Sequence, residues 1–293
     1  MTGQRETFSD VESLRIAMEK ANYVASAGLA MALFCALKLN QPLLLEGEPG
    51  VGKTEAAKVF ARVLNTDLIR LQCYEGIDLS EAVYEWNYPK QLLAIRIAET
   101  EKHHLEEHDL FTEEFLIERP LLKALRHKGE MSSVLLVDEV DRSDDEFEAF
   151  LLELLGESTI TIPELGTFGS DRPPVVILTS NRTRDLHDAL KRRCIYHWIS
   201  YPDIETTISI LRRHVPEASK TLLSQSAATV NRIREINHLQ KPPGIAETID
   251  WVRALVLLGV DSIEDQKAPV AWGSLIKYRE DLDIVESTLR GTG

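Results

Sequence analysis

The segment GEPGVGKT, residues 47–54, carries the most specific chemical pattern in the sequence. Its spacing is G-x-x-x-x-G-K-T, and the three leucines at 43–45 before it are typical of a buried strand. Glycines let the backbone turn tightly and aim its N–H groups at phosphate oxygens. Lys53 then reaches the terminal phosphates, and the Thr54 hydroxyl is a ligand for Mg²⁺. We predict that the phosphates are held by Glu48, Pro49, Gly50, Val51, Gly52, Lys53 and Thr54.

Two acidic residues, Asp138 and Glu139, follow a second apolar run at residues 134–137. The carboxyl ends of strands in a parallel α/β sheet are where ligands bind. An aspartate there can hold Mg²⁺ through a water molecule, and a glutamate beside it can take a proton from an attacking water. With the phosphate loop, this pair predicts hydrolysis at a magnesium-bound nucleotide.

Polar residues at two later positions have two interpretations each. Asn181 stands at the end of a predicted strand over residues 175–178, where it binds a γ-phosphate or the attacking water, or only caps a helix. Arg192 and Arg193 end a predicted helix over residues 185–193. They either complement the helix dipole or supply an arginine finger to a neighbouring subunit.

His104 and His108 are four residues apart in a strongly acidic stretch, residues 99–118. On one helix they would share a face, as a metal-binding pair does. No further ligand is paired with them, so a solvated charged helix is the favoured interpretation. We therefore assign no metal besides Mg²⁺.

Three aromatic residues lie close together before this stretch: Tyr84, Trp86 and Tyr88. They either contact a partner or pack under an irregular loop, and packing is the favoured interpretation.

Composition restricts the class of partner and the compartment. The net charge of -14 argues against a general nucleic-acid binder, because neutralising phosphates needs clustered lysines and arginines. The three separated cysteines, Cys35, Cys73 and Cys194, predict reduced thiols. The most apolar N-terminal stretch, residues 23–37, is too short to span a bilayer and lacks the pattern of a signal peptide. We expect a cytoplasmic protein that binds neither nucleic acid nor membrane.

The order of elements predicts an α/β fold, with a parallel sheet flanked by helices. Two helices broken at residues 26–28 precede the phosphate loop, and a strand is expected over residues 67–73. A helix over residues 143–157 leads to a strand, a turn-rich excursion over 163–174, and another strand. From residue 204 onward the pattern is helical only. We place a boundary near Pro202, giving a nucleotide-binding domain with N-terminal helices, 1–202, and a small all-α domain, 203–293.

These motifs, taken in order, resemble the AAA+ ATPases, and most of all the MoxR family. GEPGVGKT is similar to the Walker A motif, LLVDEVDR to Walker B, LTSN to the sensor 1 strand and ALKRRCIYHW to the arginine-finger segment. The excursion ITIPELGTFGSDRPPVVI resembles the hairpin before sensor 1. The resemblance runs from about Tyr23 to the C-terminus and implies a P-loop NTPase domain followed by a helical lid.

The resemblance implies a role for each motif residue. ATP is bound by the loop, Mg²⁺ by Thr54 and, through water, by Asp138. Glu139 activates the attacking water and Asn181 orients it. Arg193, with Arg192 as the alternative, acts on the nucleotide of the next subunit, which implies a homo-hexamer.

The segment KPPGIAETIDWVRAL is similar to the branch associated with carbon monoxide dehydrogenase and related molybdenum hydroxylases. That branch implies a maturation chaperone for metal-cofactor insertion, acting on a client enzyme with a von Willebrand factor A-domain partner. Many MoxR proteins have a sensor 2 arginine where PPGIAETI offers Glu247, with Arg253 further along. Two other functions share the same ATPase residues: a DNA-acting AAA+ motor or clamp loader, and a nucleotide-dependent scaffold with little turnover.

Overall fold

A computed structural model describes residues 7–101 and 104–290. Within this range the chain forms two compact units. The first contains residues 7–14, 27–46 and 54–198, and the second contains residues 15–26, 47–53 and 199–290. The sequence placed one boundary near Pro202, whereas this division also assigns most of the phosphate loop to the second unit.

The strands of the described residues form three sheets. They are β1 (Leu43–Gly47), β2 (Leu68–Gln72), β3 (Tyr84–Trp86), β4 (Leu116–Glu118), β5 (Val134–Asp138), β6 (Thr159–Ile162), β7 (Gly166–Gly169), β8 (Val175–Ser180) and β9 (Ile195–Ile199).

The helices differ mainly in length. They are α1 (Val11–Lys20), α2 (Ala27–Leu39), α3 (Lys53–Val63), α4 (Leu79–Ala82), α5 (Tyr88–Glu101), α6 (Glu107–Leu110), α7 (Pro120–Leu125), α8 (Asp145–Glu157), α9 (Asp188–Arg193), α10 (Ile204–His214), α11 (Lys220–Arg234), α12 (Ile245–Leu257), α13 (Trp272–Leu275) and α14 (Arg279–Arg290). Short 3₁₀ turns cover Glu113–Phe115, Val140–Arg142 and Ala268–Ala271.

The main sheet has the strand order β2-β5-β8-β1-β9, and the pairs β2·β5, β5·β8 and β8·β1 are parallel. Every residue of β1 and β5 is buried, which explains their continuous apolar runs, because strands inside a parallel sheet are covered on both faces. The register places Gln72 opposite Asp138 and Val137 opposite Leu178. The predicted α/β class with a parallel sheet flanked by helices is confirmed.

The first unit has its core on the main sheet. Leu135 and Val137 of β5 lie in one apolar cluster with Phe147 and Leu151 of α8. The helix starts where the Asp144 side chain accepts a hydrogen bond from the Phe147 N–H at 2.9 Å. This packing fixes the end of β5, where the acidic pair stands.

The second unit has its own helical core. Trp251 of α12 is fully buried and stacks on Trp272, with ring centroids 5.1 Å apart. Side-chain caps begin two of its helices, since Asp203 accepts from the Thr206 N–H and Ser219 accepts from the Leu222 N–H. The region predicted to be all-helical from residue 204 is helical.

Several local predictions need correction. The first two helices are separated by residues 21–26, and Gly28 lies inside α2. The helix expected over 143–157 starts at Asp145, after its cap, and the one expected over 185–193 starts at Asp188. The excursion over 163–174 is not only turns, since it contains β7, which pairs antiparallel with β6 and forms the hairpin that the resemblance implied.

The acidic stretch is not one helix. His104 lies in an irregular segment, whereas His108 lies in the short helix α6, so the shared face required for a metal pair is not formed. Residues 102 and 103 of this stretch lie outside the described residues. Within residues 7–101 and 104–290, His, Cys, Asp and Glu side chains form no group of three or more that could hold a metal ion.

The aromatic cluster divides between packing and exposure. Tyr84 and Trp86 form an edge-on pair with centroids 6.1 Å apart, and Trp86 packs in the same way on Phe111 at 5.1 Å. Tyr88, at the start of α5, is 59% exposed. Packing is therefore correct for two of the three residues.

The three cysteines form no disulfide among the described residues. Cys35, Cys73 and Cys194 are free thiols. Burial, with a smaller contribution from the Asp138 carboxylate, raises the pKa of Cys73 to about 12, so this thiol stays neutral.

In the part of the chain that the structure describes, every helix falls short of the length and hydropathy needed to cross a bilayer.

Candidate functional site

Asp138, the last residue of β5, is the centre of a buried polar cluster in the first unit. It is 2% exposed. The Thr54 hydroxyl lies 3.0 Å from its Oδ1, and the Thr179 hydroxyl donates to the same oxygen at 2.5 Å. Arg70 donates to Oδ2 through Nη2 at 2.6 Å and through Nε at 3.0 Å. The predicted ligands Thr54 and Asp138 are therefore in direct contact.

Glu139 has an unusual backbone conformation next to this cluster. Its φ of 55° and ψ of 48° are left-handed, which costs a non-glycine residue about 1–2 kcal/mol. Its N–H donates to the Thr179 hydroxyl at 2.9 Å. Its carboxylate accepts from Gln72 Nε2 and from Arg142 Nη1, both at 3.1 Å. Strained backbone held by neighbouring contacts is concentrated at functional sites.

The loop after β8 is held by Asp141, which is 1% exposed. Asp141 Oδ2 accepts from the N–H of Asn181 at 3.2 Å and from the N–H and hydroxyl of Thr183 at 2.8 and 2.7 Å. The next helix starts only at Asp188, so Asn181 caps no helix. The Asn181 side chain makes no hydrogen bond to other described residues, which leaves its amide available to a ligand.

Glu46 is another buried carboxylate, 3% exposed, near the end of β1. Ser180 Oγ donates to its Oε1 at 3.2 Å, and the Tyr196 hydroxyl donates to its Oε2 at 3.1 Å. Desolvation and the hydrogen bond to Glu46 raise the pKa of the Tyr196 phenol, so it stays protonated and acts as the donor. This group ties β1 to β8 and β9 within the first unit.

Residues 47–53 of the phosphate loop belong to the second unit. Gly50 has φ 78° and Gly52 has φ 98°, conformations that favour glycine. Lys53 is 7% exposed, and its Nζ donates to the carbonyl oxygens of Gly47 at 2.8 Å and Glu48 at 2.9 Å. The loop therefore has the tight turns that the sequence predicted, and the Lys53 ammonium lies against backbone carbonyls of the loop.

The helical part of the second unit contacts this loop closely. The Gly50 carbonyl accepts from the N–H of Ile245 at 2.9 Å, at the start of α12. A Cβ at Gly50 would lie 2.8 Å from the Cα of Gly244, so only glycine fits there. The Tyr201 hydroxyl donates to the Pro49 carbonyl at 3.1 Å.

The two charged residues of α12 that the sequence singled out, Glu247 and Arg253, have different surroundings. Glu247 Oε2 lies 3.6 Å from the position of a Cβ on Gly50, and its Oε1 lies 3.6 Å from Lys241 Nζ. The side chain of Arg253 lies 3.7 Å from Asp250, with its Nη2 donating to the His214 carbonyl at 3.4 Å. An acidic side chain thus stands beside the loop.

Arg234 brings a cation to the same part of the second unit. Its guanidinium carbon lies 4.3 Å from the centroid of the Tyr201 ring, and its Nε donates to the Pro243 carbonyl at 2.9 Å. Its buried Nη2 has no hydrogen-bond partner among the described residues. Burial lowers the pKa of Arg234 to about 10, which still leaves it charged at neutral pH.

The two candidate finger residues have different surroundings. Arg193 is exposed and donates to the backbone carbonyl of Leu152 in α8. Arg192 is exposed and makes no hydrogen bond or ion pair with other described residues. Both guanidinium groups therefore lie at the surface of the first unit.

The sequence did not single out Arg70, Gln72 or Thr179 as site residues. Arg70 and Gln72 alternate with apolar residues in LIRLQ, so their side chains share one side of β2. That alternation is a signal that a strand has a polar side near its carboxyl end. Nothing local to LIRLQ shows which carboxylates it meets.

The profile of the AAA domain (dynein-related subfamily) matches residues 42–194, more than half of the chain. The chain belongs to this family. The matched range includes the phosphate loop, the acidic pair, Asn181 and both candidate finger residues. The chain therefore carries an AAA+ ATPase domain, as the order of its motifs predicted.

Known proteins are similar to the AAA domain and its flanks. The gas vesicle ATPase GvpN1 of Halobacterium salinarum is 24% identical over 220 residues, which cover 68% of this chain and 58% of that protein. An uncharacterized protein of Staphylococcus epidermidis is 26% identical over 234 residues, covering 78% and 79%. The Thermotoga maritima RuvB Holliday junction branch migration motor superposes with a TM-score of 0.47 at 16% identity, covering 92% of this chain and 72% of RuvB.

The donors at the acidic cluster of the AAA domain fit Mg²⁺. A hydroxyl and a carboxylate supply the oxygen ligands that this ion prefers, and Mg²⁺ usually keeps several waters beside one or two protein groups. Thr54 and Asp138 already lie within 3.0 Å of each other through their oxygens. Because Mg²⁺ needs only one or two protein ligands, Thr54 and Asp138 are enough to hold it.

Thr179 is expected to support both acidic residues, and Thr179→Val tests this. The variant keeps the shape but removes a donor to Asp138 and leaves the Glu139 N–H without its acceptor. We expect the free energy of unfolding to fall by about 1–3 kcal/mol, since buried polar groups lose their partners, and ATP turnover to fall as well. Urea unfolding gives the first quantity. Thr161→Val is the control, because the exposed Thr161 hydroxyl bonds only Thr167; an equal loss in both variants would contradict the role of Thr179.

Proposed function

We propose that this chain is a MoxR-type AAA+ protein that hydrolyses ATP in a ring of six subunits and remodels a client protein. The observation that carries the ATPase part is the contact of Asp138 with Thr54 and Thr179, beside a left-handed Glu139. A polar cluster that only stabilised the fold would need neither a glutamate with a left-handed backbone nor a phosphate loop earlier in the chain. The order of the motifs supports the same conclusion.

Each residue has one task in the proposed reaction. Lys53 and the backbone N–H groups of residue 48 and residues 50–54 bind the phosphates of ATP, whereas Pro49 shapes the loop and has no N–H to donate. Thr54 and, through water, Asp138 would hold Mg²⁺, which would neutralise the charge that develops on the phosphate oxygens. Glu139 accepts the proton of the attacking water, and the free Asn181 amide orients that water.

The ring is proposed because hydrolysis needs an arginine from another subunit. Arg193, with Arg192 as the alternative, lies at the surface at the end of α9 and would act on the nucleotide of a neighbour. An arginine finger supplied in trans is worth about 10³ to 10⁵ in turnover. A single subunit is therefore expected to be nearly inactive.

The client and the partner are proposed from the resemblance of KPPGIAETIDWVRAL to the branch associated with molybdenum hydroxylases. Hydrolysis would move the helical unit and so the surface loops of the ring. A von Willebrand factor A-domain protein would recognise the client enzyme, and the ATPase would open it for insertion of a metal cofactor. A cytoplasmic location is proposed from the three separated cysteines, which are free thiols.

Molecular mass in solution tests the ring. Glu139→Gln removes the base but keeps the size of the side chain and a hydrogen-bonding amide. With ATP and Mg²⁺ this variant is expected to give a mass six times that of the chain, whereas the nucleotide-free protein gives smaller species. Analytical ultracentrifugation measures both. Asp283→Asn, which removes one carboxylate from α14, is the control for the loss of charge.

Three results would point elsewhere. A monomer under every condition would contradict the ring and the arginine acting in trans. Salt-dependent DNA binding by the purified protein would favour a DNA-acting motor or clamp loader. Full cellular function of Glu139→Gln would favour a nucleotide-dependent scaffold.

A further inference from the structure

Arg70 contacts the carboxylate that is expected to face Mg²⁺. Two of its nitrogens donate to Asp138 Oδ2, at 2.6 and 3.0 Å. This is a close, charge-assisted contact, and its acceptor lies on a residue that is 2% exposed. The arginine itself is 46% exposed, so its guanidinium has a route to solvent.

Asp138 needs a positive charge nearby because it is buried. The hydroxyls of Thr54 and Thr179 satisfy its hydrogen-bonding capacity at Oδ1 but do not neutralise it. A buried carboxylate without a counter-charge is strongly disfavoured. Arg70 supplies that charge from β2, the neighbouring strand.

A magnesium ion at Asp138 would bring two further positive charges to the same carboxylate. The ion and the guanidinium repel each other, and both are attracted to one side chain. Arg70 has a long side chain on an edge strand of the main sheet, and it can leave without disturbing the backbone register. Competition between the two cations follows from the charges and their positions.

Arg70 is also linked to the proposed base. Its Nη2 donates to Gln72 Oε1, and Gln72 Nε2 donates to Glu139 Oε2 at 3.1 Å. The Gln72 side-chain amide therefore accepts from Arg70 through its oxygen and donates to Glu139 through its nitrogen. Removing the guanidinium from Asp138 takes away the contact that orients this amide.

We propose that Arg70 is the resident counter-ion of Asp138 and that Mg²⁺ displaces it. Arg70 is thus a positioning residue that holds Asp138 until the ion binds. The proposal rests on the proposed magnesium site.

Equilibrium binding measures the competition without hydrolysis. A fluorescent ADP analogue is titrated into the protein at Mg²⁺ concentrations from EDTA to several millimolar, and the Mg²⁺ concentration at half of the gain in affinity is recorded. Arg70→Ala is expected to lower this midpoint about tenfold, since a charge-assisted contact that opposes the ion is lost. Arg70→Lys, which keeps the charge but not the two-nitrogen contact, is expected to lie between. Arg96→Ala, an exposed arginine of α5, is the matched control and is expected to behave as wild type.

Thermal unfolding in EDTA without nucleotide gives an independent readout. Arg70→Ala is expected to melt at a lower temperature than wild type, because Asp138 loses its counter-charge. Added Mg²⁺ is expected to raise the melting temperature of Arg70→Ala more than that of Arg96→Ala. If Arg70→Ala does not fold, the midpoint of Arg70→Lys decides the question.

Two results would overturn the proposal, and they are distinguishable. A midpoint that rises or stays unchanged in the Arg70 variants would mean that the arginine only supports Asp138 for metal binding. A wild-type affinity that does not change with Mg²⁺ would overturn the magnesium site itself, and the role of Arg70 with it.

Discussion

Arg193→Ala is expected to lower ATP turnover about 10³- to 10⁵-fold while leaving nucleotide binding unchanged. In its own chain the guanidinium is exposed and donates to a backbone carbonyl, that of Leu152. A contact of this kind at the surface is worth little, so reaching toward a neighbouring subunit costs little. The loss should therefore appear in turnover and not in stability. Steady-state hydrolysis, equilibrium nucleotide binding and thermal unfolding separate these effects.

Arg192→Ala is the matched control for this experiment. Arg192 is in the same helical turn, carries the same charge and makes no hydrogen bond or ion pair with the other described residues. If Arg193 is the finger, Arg192→Ala keeps most of the activity. The reverse result would assign the finger to Arg192, and full activity of both variants would remove the finger from α9.

Mixing subunits tests whether the arginine acts in trans. A Glu139→Gln subunit lacks the base but keeps Arg193, whereas an Arg193→Ala subunit keeps the base. Neither is expected to hydrolyse ATP alone. A mixture of the two is expected to recover part of the wild-type turnover, because some interfaces combine an intact base with an intact arginine. No recovery would argue that both residues act within one chain.

Lys53→Ala is expected to weaken nucleotide binding by about 100-fold or more, because contacts between a charged donor and phosphate oxygens are among the strongest polar contacts. Lys53 is nearly buried, and its Nζ points at the carbonyls of Gly47 and Glu48. This geometry places the ammonium inside the curve of the loop. Equilibrium binding of a fluorescent ATP analogue measures the change.

Lys58→Ala controls for removal of a lysine from α3. Lys58 is on the same helix, is 45% exposed and lies 3.6 Å from Glu55, so its loss should change the affinity little. Equal affinities of Lys53→Ala and wild type would show that the phosphate loop is not where its spacing places it.

The motif residues could be predicted because each motif is contained in a short segment. The loop spacing needs only eight consecutive residues, and the acidic pair directly follows its strand. The tight turns at Gly50 and Gly52 and the burial of β5 agree with these local patterns. The predicted α/β fold is confirmed for the same reason, since continuous apolar runs alternating with amphipathic helices are local features.

Two helix predictions failed, each for a local reason. The expected helix containing His104 and His108 is interrupted, because charged residues alone do not bury a face that would hold one continuous helix. The helix expected from residue 143 starts two residues later because the Asp144 side chain caps its first turn.

The sequence by itself determined the α/β class, the phosphate loop, the acidic pair at the end of a strand and the helical C-terminal region. Only the tertiary structure decided that Arg70 and Gln72 meet Asp138 and Glu139, although they are more than sixty residues apart in the chain. The reason is the register of β2 against β5, which places Gln72 opposite Asp138. Strand pairing of this kind is set by the packing of the whole sheet and leaves no trace in either segment alone.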